Sequence, residues 1–363
     1  MSQEEPSGVG APITTPPRRR LNLTPRTITM LVSAVATVGL GAAMFALPVP
    51  YVLETPGPTL DTLGEQDGVV LVQVPEEPSH PLTGQLLLTT VGAIGSEPGS
   101  LNLLRLVRGY LSGDEALLPY DVVYAPGQTT EEREEQSAQQ MSSSQYTAEV
   151  AALEELGYTV TPVVEGIPEG HVLQLGDKLL AVNGVPITGY GQLIDLMDSL
   201  EGGSTVTVQV ERDGQTADVE VVTQGGEGEP ARLGVAVGFD TPVEVTYGIE
   251  NIGGPSAGTM FALAIIDKLG DEDLAAGNIV AGTGTMDADG SVGAIGGIRQ
   301  KMIGADEAGA TLFLAPKANC DEVQGHVPDG LQVVAIETLD DAVAALEAMR
   351  DGVAGTLPSC DVK

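Results

Sequence analysis

A chain of 363 residues has room for about two domains of ordinary size, and its 42% hydrophobic content can fill cores between the turns that 47 glycines and 24 prolines imply. Its 51 acidic and 16 basic residues give a net charge of −35, and four of the bases, Arg18, Arg19, Arg20 and Arg26, lie near the N-terminus. Residues 54–363 therefore keep 12 bases against 49 acids. So anionic a body repels phosphate backbones and anionic head groups, which argues against a nucleic-acid partner and against a basic membrane-docking face. The three histidines and two cysteines fall in no zinc-ligand spacing, and no GxxxxGK phosphate loop is present, so no metal or other cofactor is expected.

Residues 27–53 carry no charge, and the apolar part before Pro48 is long enough to cross about 30 Å of hydrocarbon as a helix. Arginines precede it and Glu54 follows it, so the positive-inside bias predicts a cytoplasmic tail over 1–26, a transmembrane helix over 27–50, and an extracytoplasmic body. A cleaved signal peptide would have a shorter apolar core and a small-residue cleavage site, which this segment lacks. Cys320 and Cys360 could pair outside the cytoplasm and tie down the C-terminal tail; two unpaired thiols fit the sequence equally well.

After the span, residues 54–64 (ETPGPTLDTLG) read as turns, while VVLVQV and TGQLLLTTVGAI read as strands and residues 101–111 as a helix. Residues 124–145 are polar and acidic, an exposed loop or a solvated helix. YTAEVAALEELGY then predicts an amphipathic helix with Val150, Leu153 and Leu156 inward and Gly157 as its C-terminal cap. Beyond it, turns at Gly176-Asp177 and Asn183-Gly184, a helix over QLIDLMDSLEGG and a hairpin over 204–223 form a compact β-rich unit. Val206, Val208 and Val210 alternate there with Thr205, Thr207 and Gln209 to give one buried face.

The run L-x-x-G-D-x-L-x-x-V-N-G over 173–184, with the helix and hairpin after it, resembles a PDZ domain of the bacterial protease-associated type. That resemblance implies capture of an extended peptide as an added strand, its carboxylate held by backbone N–H groups of a glycine loop. By position, Leu156, Gly157 and Tyr158 are the candidate loop; Gly157 also fits a plain helix cap. TQGGEGEPAR, 223–232, reads as a flexible linker.

Two glycine-punctuated segments follow, at 250–270 and 282–310. Gly253, Gly254 and Pro255 form a sharp turn that delivers Ser256 to the start of an apolar helix, where free N–H groups can stabilise an oxyanion. Taken alone, Ser256 is most simply an N-cap. Lys301 sits on a helix starting near Gly297, and its neighbours one turn away, Gly297, Ile298, Gly304 and Ala305, include no carboxylate, unusual company in so acidic a chain. Burial there would lower its pKa towards that of a usable base.

GGPSAG and, 45 residues on, IGGIRQK resemble the two catalytic motifs of Lon-type serine proteases, over about 110 residues from Leu233 to the helix at 339–350. The resemblance implies a Ser-Lys dyad. Ser256 matches the nucleophile, Lys301 the general base, and Thr283 a threonine bonded to the lysine, while Gly254, Pro255 and Ala257 shape the oxyanion site. Gly253 departs from the pattern, since relatives commonly carry an acid there, and nothing resembles the ATPase of full-length Lon.

The layout as a whole resembles the membrane-anchored, PDZ-containing Lon-like proteases of Gram-positive bacteria. It implies an α+β fold: a Lon-type protease domain with a β-rich PDZ domain inserted, behind one N-terminal transmembrane helix. The expected division is 51–150 completing the protease domain, 151–226 PDZ, and 227–363 protease. The expected activity is ATP-independent cleavage of unfolded or flexible proteins at the cell membrane, needing no cofactor, with ring-shaped homo-oligomers left open.

Two rivals remain from the residues. Gly254-x-Ser256-x-Gly258 also fits an α/β-hydrolase with Asp287 or Asp289 and His326, and a catalytically silent PDZ scaffold fits the same layout.

Overall fold

The computed structural model describes residues 24–360 apart from 67, 98, 126, 227, 250, 251, 354 and 356. The arginines at 18–20 and most of the expected cytoplasmic tail lie outside the described residues.

Helix α1, Pro25–Phe45, starts on a Thr24 cap with proline at its first turn and buries no residue against the rest of the chain. By length and composition it can cross a membrane. Strands β1 (Tyr51–Asp61) and β2 (Gln85–Ile94), helix α2 (Leu103–Ser112), strand β3 (Ala116–Pro119) and helix α3 (Thr130–Glu155) follow. The next unit contains β4 (Thr161–Gly166), β5 (Lys178–Val182), α4 (Tyr190–Asp198), β6 (Thr205–Arg212), β7 (Gln215–Val222) and β8 (Ala236–Asp240). The chain closes with α5 (Gly258–Leu269), β9 (Ile279–Gly282), α6 (Ile298–Glu307), β10 (Leu312–Pro316), β11 (Gln332–Ile336) and α7 (Leu339–Arg350).

One mixed sheet runs β11-β10-β9-β2-β1-β3. Its parallel half comes from residues after 278 and its antiparallel half from residues before 120, joined where β2 pairs in parallel with β9. Alternation along the strands sorts the two faces. Leu86, Leu88, Val280, Leu312, Leu314, Val334 and Ile336 pack with α5 and α7 on one side, and Leu87, Ala281, Phe313, Ala315 and Val333 pack with α6 on the other.

The residues expected as turns at 54–64 are mostly strand. Pro56 and Pro58 hide the pattern, and both fall at or beside the register shift between Pro56 and Thr59, beyond the four residues, Tyr51–Glu54, that also pair with β3. A bulge with a single neighbouring strand is where prolines fit a sheet.

The polar stretch expected as loop or solvated helix is the first half of α3, begun by a Thr129–Glu132 capping box and continuous to Glu155. A second sheet, β7-β6-β5-β4-β8, has its own valine-rich core. Asp177 of the Gly-Asp turn is fully buried and held by two 2.6 Å bonds from Arg212, and this hydrogen bonding, helped by the Arg212 charge, keeps its carboxyl below the usual range.

The expected 151–226 boundary differs from this sheet, whose edge strand β8 comes from 236–240. The intervening residues are not a free linker: Gln224 and Arg232 exchange backbone bonds of 2.7 and 2.9 Å, and Ala231 N–H donates to Leu200 O. Cys320 and Cys360 form a disulfide, and Ala335 N–H of β11 donates to Pro358 O, so the tail covers that sheet edge.

Candidate functional site

The site lies beyond the C-terminal end of β9, where the loop before α5 meets α6 from the opposite face of the sheet. Ser256 is held through its own backbone and that of its neighbours. Its carbonyl accepts from Gly284 N–H at 3.0 Å and from the Thr283 hydroxyl at 2.9 Å. Gly254 N–H donates to Ser137 O at 3.0 Å, and the Ser144 hydroxyl donates to Pro255 O at 2.9 Å. Ala257, not Ser256, occupies the N-cap of α5, which has no side-chain cap. The simplest reading of Ser256, as a capping serine, is therefore not what the fold uses it for.

Lys301 reaches this loop from the first turns of α6. Gly297 caps that helix at φ 68°, and a Cβ there would sit 2.6 Å from Val91 Cγ2, so glycine lets α6 settle onto β2. Lys301 is 3% exposed. Its ammonium donates to Ser256 Oγ at 2.7 Å and to Thr283 Oγ1 at 2.8 Å. Because the Thr283 proton is committed to the Ser256 carbonyl, its oxygen is left to accept from Lys301. Burial lowers the Lys301 pKa to about 8, against the opposing pull of the Glu54 carboxylate.

Glu54 itself is pushed up by burial and by the Glu322 charge, with Lys301 pulling it down. The carboxylate-free surroundings expected of Lys301 hold for its neighbours one turn away on the helix and fail across the sheet, because β1 brings Glu54 from 247 positions away.

A cavity of about 350 Å³ opens beside the pair, with Ser256, Ala257 and Lys301 at its floor and Leu88, Met141 and Ile252 as apolar wall. Met141 comes from the half of α3 that reads as solvated. Gly253 faces the same helix, and a Cβ on it would lie 2.0 Å from Ser137 Oγ. A side chain at 253 would therefore require Ser137 or the loop to move.

His326 is exposed, its ring bonded to Gln324 O, and it does not line the cavity at Ser256. The Ser-Asp-His arrangement of a hydrolase is not assembled.

Leu156, Gly157 and Tyr158, the candidate peptide loop, lie at the C-terminal end of α3. Gly157 N–H donates to Glu154 O and Tyr158 N–H to Leu153 O, both at 2.9 Å, so these donors close the end of α3. A groove of about 440 Å³ lies between α4 and the 230–237 segment, bordered by Tyr190, Ile194 and Met197 on the helix and by Leu233, Val235 and Val237 opposite. The Arg232-Leu233-Gly234-Val235 run, which carries a glycine before an alternating strand, was its sequence signal, obscured by the composition of the linker before it.

The model of the Lon protease C-terminal proteolytic domain matches residues 232–348, and that of the PDZ domain matches residues 139–223. The chain is 36% identical over 107 residues to Lon protease of Clostridioides difficile (strain 630), covering 29% of this chain and 13% of that protein. It is 29% identical over 188 residues to Lon protease of Haemophilus influenzae (strain ATCC 51907 / DSM 11121 / KW20 / Rd), covering 50% and 22%. Among solved structures it is similar to the PDZ domain of an SdrC-like protein from Listeria monocytogenes, at 16% identity over 22% of this chain and 88% of that one; the TM-score of 0.20 carries no argument.

The chain thus carries a Lon protease C-terminal proteolytic domain and a PDZ domain, with mixed helix and strand. Its relatives support a serine peptidase. It spans only 13% and 22% of the length of those two curated relatives.

Proposed function

We propose that this chain is an ATP-independent serine endopeptidase of the cell envelope, anchored by α1 with its body outside the cytoplasm, that cleaves flexible or unfolded protein segments. The observation that carries the reading is the 2.7 Å contact between Ser256 Oγ and a Lys301 ammonium buried enough to lose its proton near pH 8. As the neutral amine, Lys301 takes the Ser256 proton while Oγ bonds to the peptide carbonyl carbon. The N–H groups around Ser256 and Ala257 hold the oxyanion. The C–N bond then breaks as Lys301 returns the proton to the leaving amine, and water, deprotonated in turn by Lys301, releases the acid from the acyl-enzyme. Thr283 keeps the amine aimed at Oγ.

The PDZ unit recruits substrate through the groove between α4 and β8, beside which a peptide can add as a strand. Substrates on this reading are segments that already lack stable structure.

Hydrolysis of an unstructured protein, together with covalent labelling by a serine-reactive fluorophosphonate, tests the dyad. Ser256→Ala abolishes both cleavage and labelling, and Lys301→Ala lowers cleavage at least 10²-fold with the fold intact by circular dichroism. Full activity of Lys301→Ala would overturn the mechanism, and wild-type protein that neither cleaves nor labels would favour the scaffold.

A further inference from the structure

Helix α2 presents the wrong face to solvent for a soluble protein. Leu101, just before it, is 1% exposed, and Gly109 is buried against Leu53, yet Leu104, Val107, Tyr110 and Leu111 all face outward, the last two 76% exposed. At 100° per residue these four and Arg108 share one side of the helix. α2 carries two arginines and no acid in a chain of net charge −35, and Arg105 is paired with Glu115 on another side.

The start of α2 is tied to the end of α1. Val49 N–H donates to Leu101 O at 2.9 Å, Leu103 N–H donates to Leu47 O at 3.1 Å, and Pro48 bridges to Asn102. Since α1 ends at Phe45 and Leu47 is itself more than half exposed, α2 begins where a membrane-spanning α1 would leave the hydrocarbon.

From this juxtaposition we propose that α2 lies in the outer membrane interface, its leucine, valine and tyrosine face seated among the acyl chains and Arg108 reaching lipid phosphate. The proposal rests on the reading of α1 as a membrane span. Aliphatic residues below, tyrosine at the boundary and a snorkelling arginine match the chemistry of that layer. Apolar burial carries the contact and Arg108 adds to it locally, because the net charge of the anionic body excludes long-range attraction to an anionic surface. It holds the protease body at a fixed height and tilt, so that flexible segments emerging close to the membrane meet the site.

The chain contains no tryptophan, so one introduced indole reports a single place. Full-length Leu111→Trp is reconstituted in phosphatidylcholine vesicles with brominated acyl chains, beside Val35→Trp within α1 and Leu175→Trp on the PDZ unit. The expected result is a blue-shifted Leu111→Trp emission, insensitive to salt, that loses most of its intensity to the brominated lipid, as Val35→Trp does and Leu175→Trp does not. If Val35→Trp is quenched and Leu111→Trp is not, the interfacial placement of α2 is overturned and the anchor stands. If that unquenched indole then shifts with the density of protein in the vesicle, a second copy covers the face instead. If Val35→Trp also escapes quenching, the anchor reading falls and the placement of α2 with it.

Discussion

In the proposed mechanism Lys301 serves as a base because its neighbours make the ammonium costly without making it useless. Lowering the pKa from 10.5 to about 8 corresponds to roughly 3 kcal/mol against the charged form, a cost that the core around α6 offsets. At pH 7 about a tenth of Lys301 is then neutral, against less than about one part in a thousand for an unperturbed lysine. The unfolded chain binds the extra proton between the two values, so this group adds stability as pH rises from about 8 towards 10.5. Hydrolysis follows the neutral amine and rises through pH 8. Glu54 sets where that rise falls, because its negative charge favours the ammonium. Glu54→Gln therefore moves the rising limb of kcat/KM to lower pH and increases the rate at pH 7. An upward shift in the measured pH profile would show that Glu54 acts on Lys301 other than by its charge.

At the scale of elements, α3 joins what the chain order separates. It gives Ser137 and Ser144 to the loop of Ser256, Met141 to the cavity wall and Tyr146 to β8, where the Tyr146 hydroxyl accepts from Phe239 N–H. At Gly253 it leaves no room for a side chain. Gly253→Ala forces Ser137 or the loop aside, with an expected loss of about 1–3 kcal/mol in urea unfolding and a fall in kcat as Ser256 is displaced. Ser137→Gly in the same chain recovers part of the loss, so the pair is coupled in a double-mutant cycle; additive losses would place the strain elsewhere. This packing also explains what the sequence could reveal. Ser256 and Lys301 each sit at the start of a helix whose glycine turn is written beside it, so local pattern exposes them. Glu54, Ser137 and Met141 reach the site across the sheet or along a helix with a polar first half, and nothing near them in sequence records that meeting. Gly157 shows the converse: a glycine after an amphipathic helix fits a cap and a ligand loop alike, and it takes the hydrogen bonds of Gly157 and Tyr158 to show the cap.

For the molecule as a whole, the PDZ unit is not a bead on a flexible tether. Its edge strand β8 carries Phe239, which packs on Tyr146 of α3 and Tyr190 of α4, and the Tyr146 hydroxyl also donates to Phe239 O. Among the described residues β8 ends the sheet, leaving its outer edge to accept another strand. A peptide added there would lie along α4, its side chains against Ile194, Val235 and Val237. Ile194 is only partly buried, so Ile194→Glu places a charge in the groove without emptying the core beneath Leu193 and Met197. The expected outcome is a rise of roughly tenfold in KM for protein substrates with a free apolar C-terminus, and unchanged kcat and KM for short internal peptides that reach Ser256 directly. Parallel steady-state measurements on the two substrate classes separate the possibilities. An equal loss on both would mean that the groove acts through α3 on the catalytic loop. No loss on either would mean that substrates reach Ser256 without the PDZ groove.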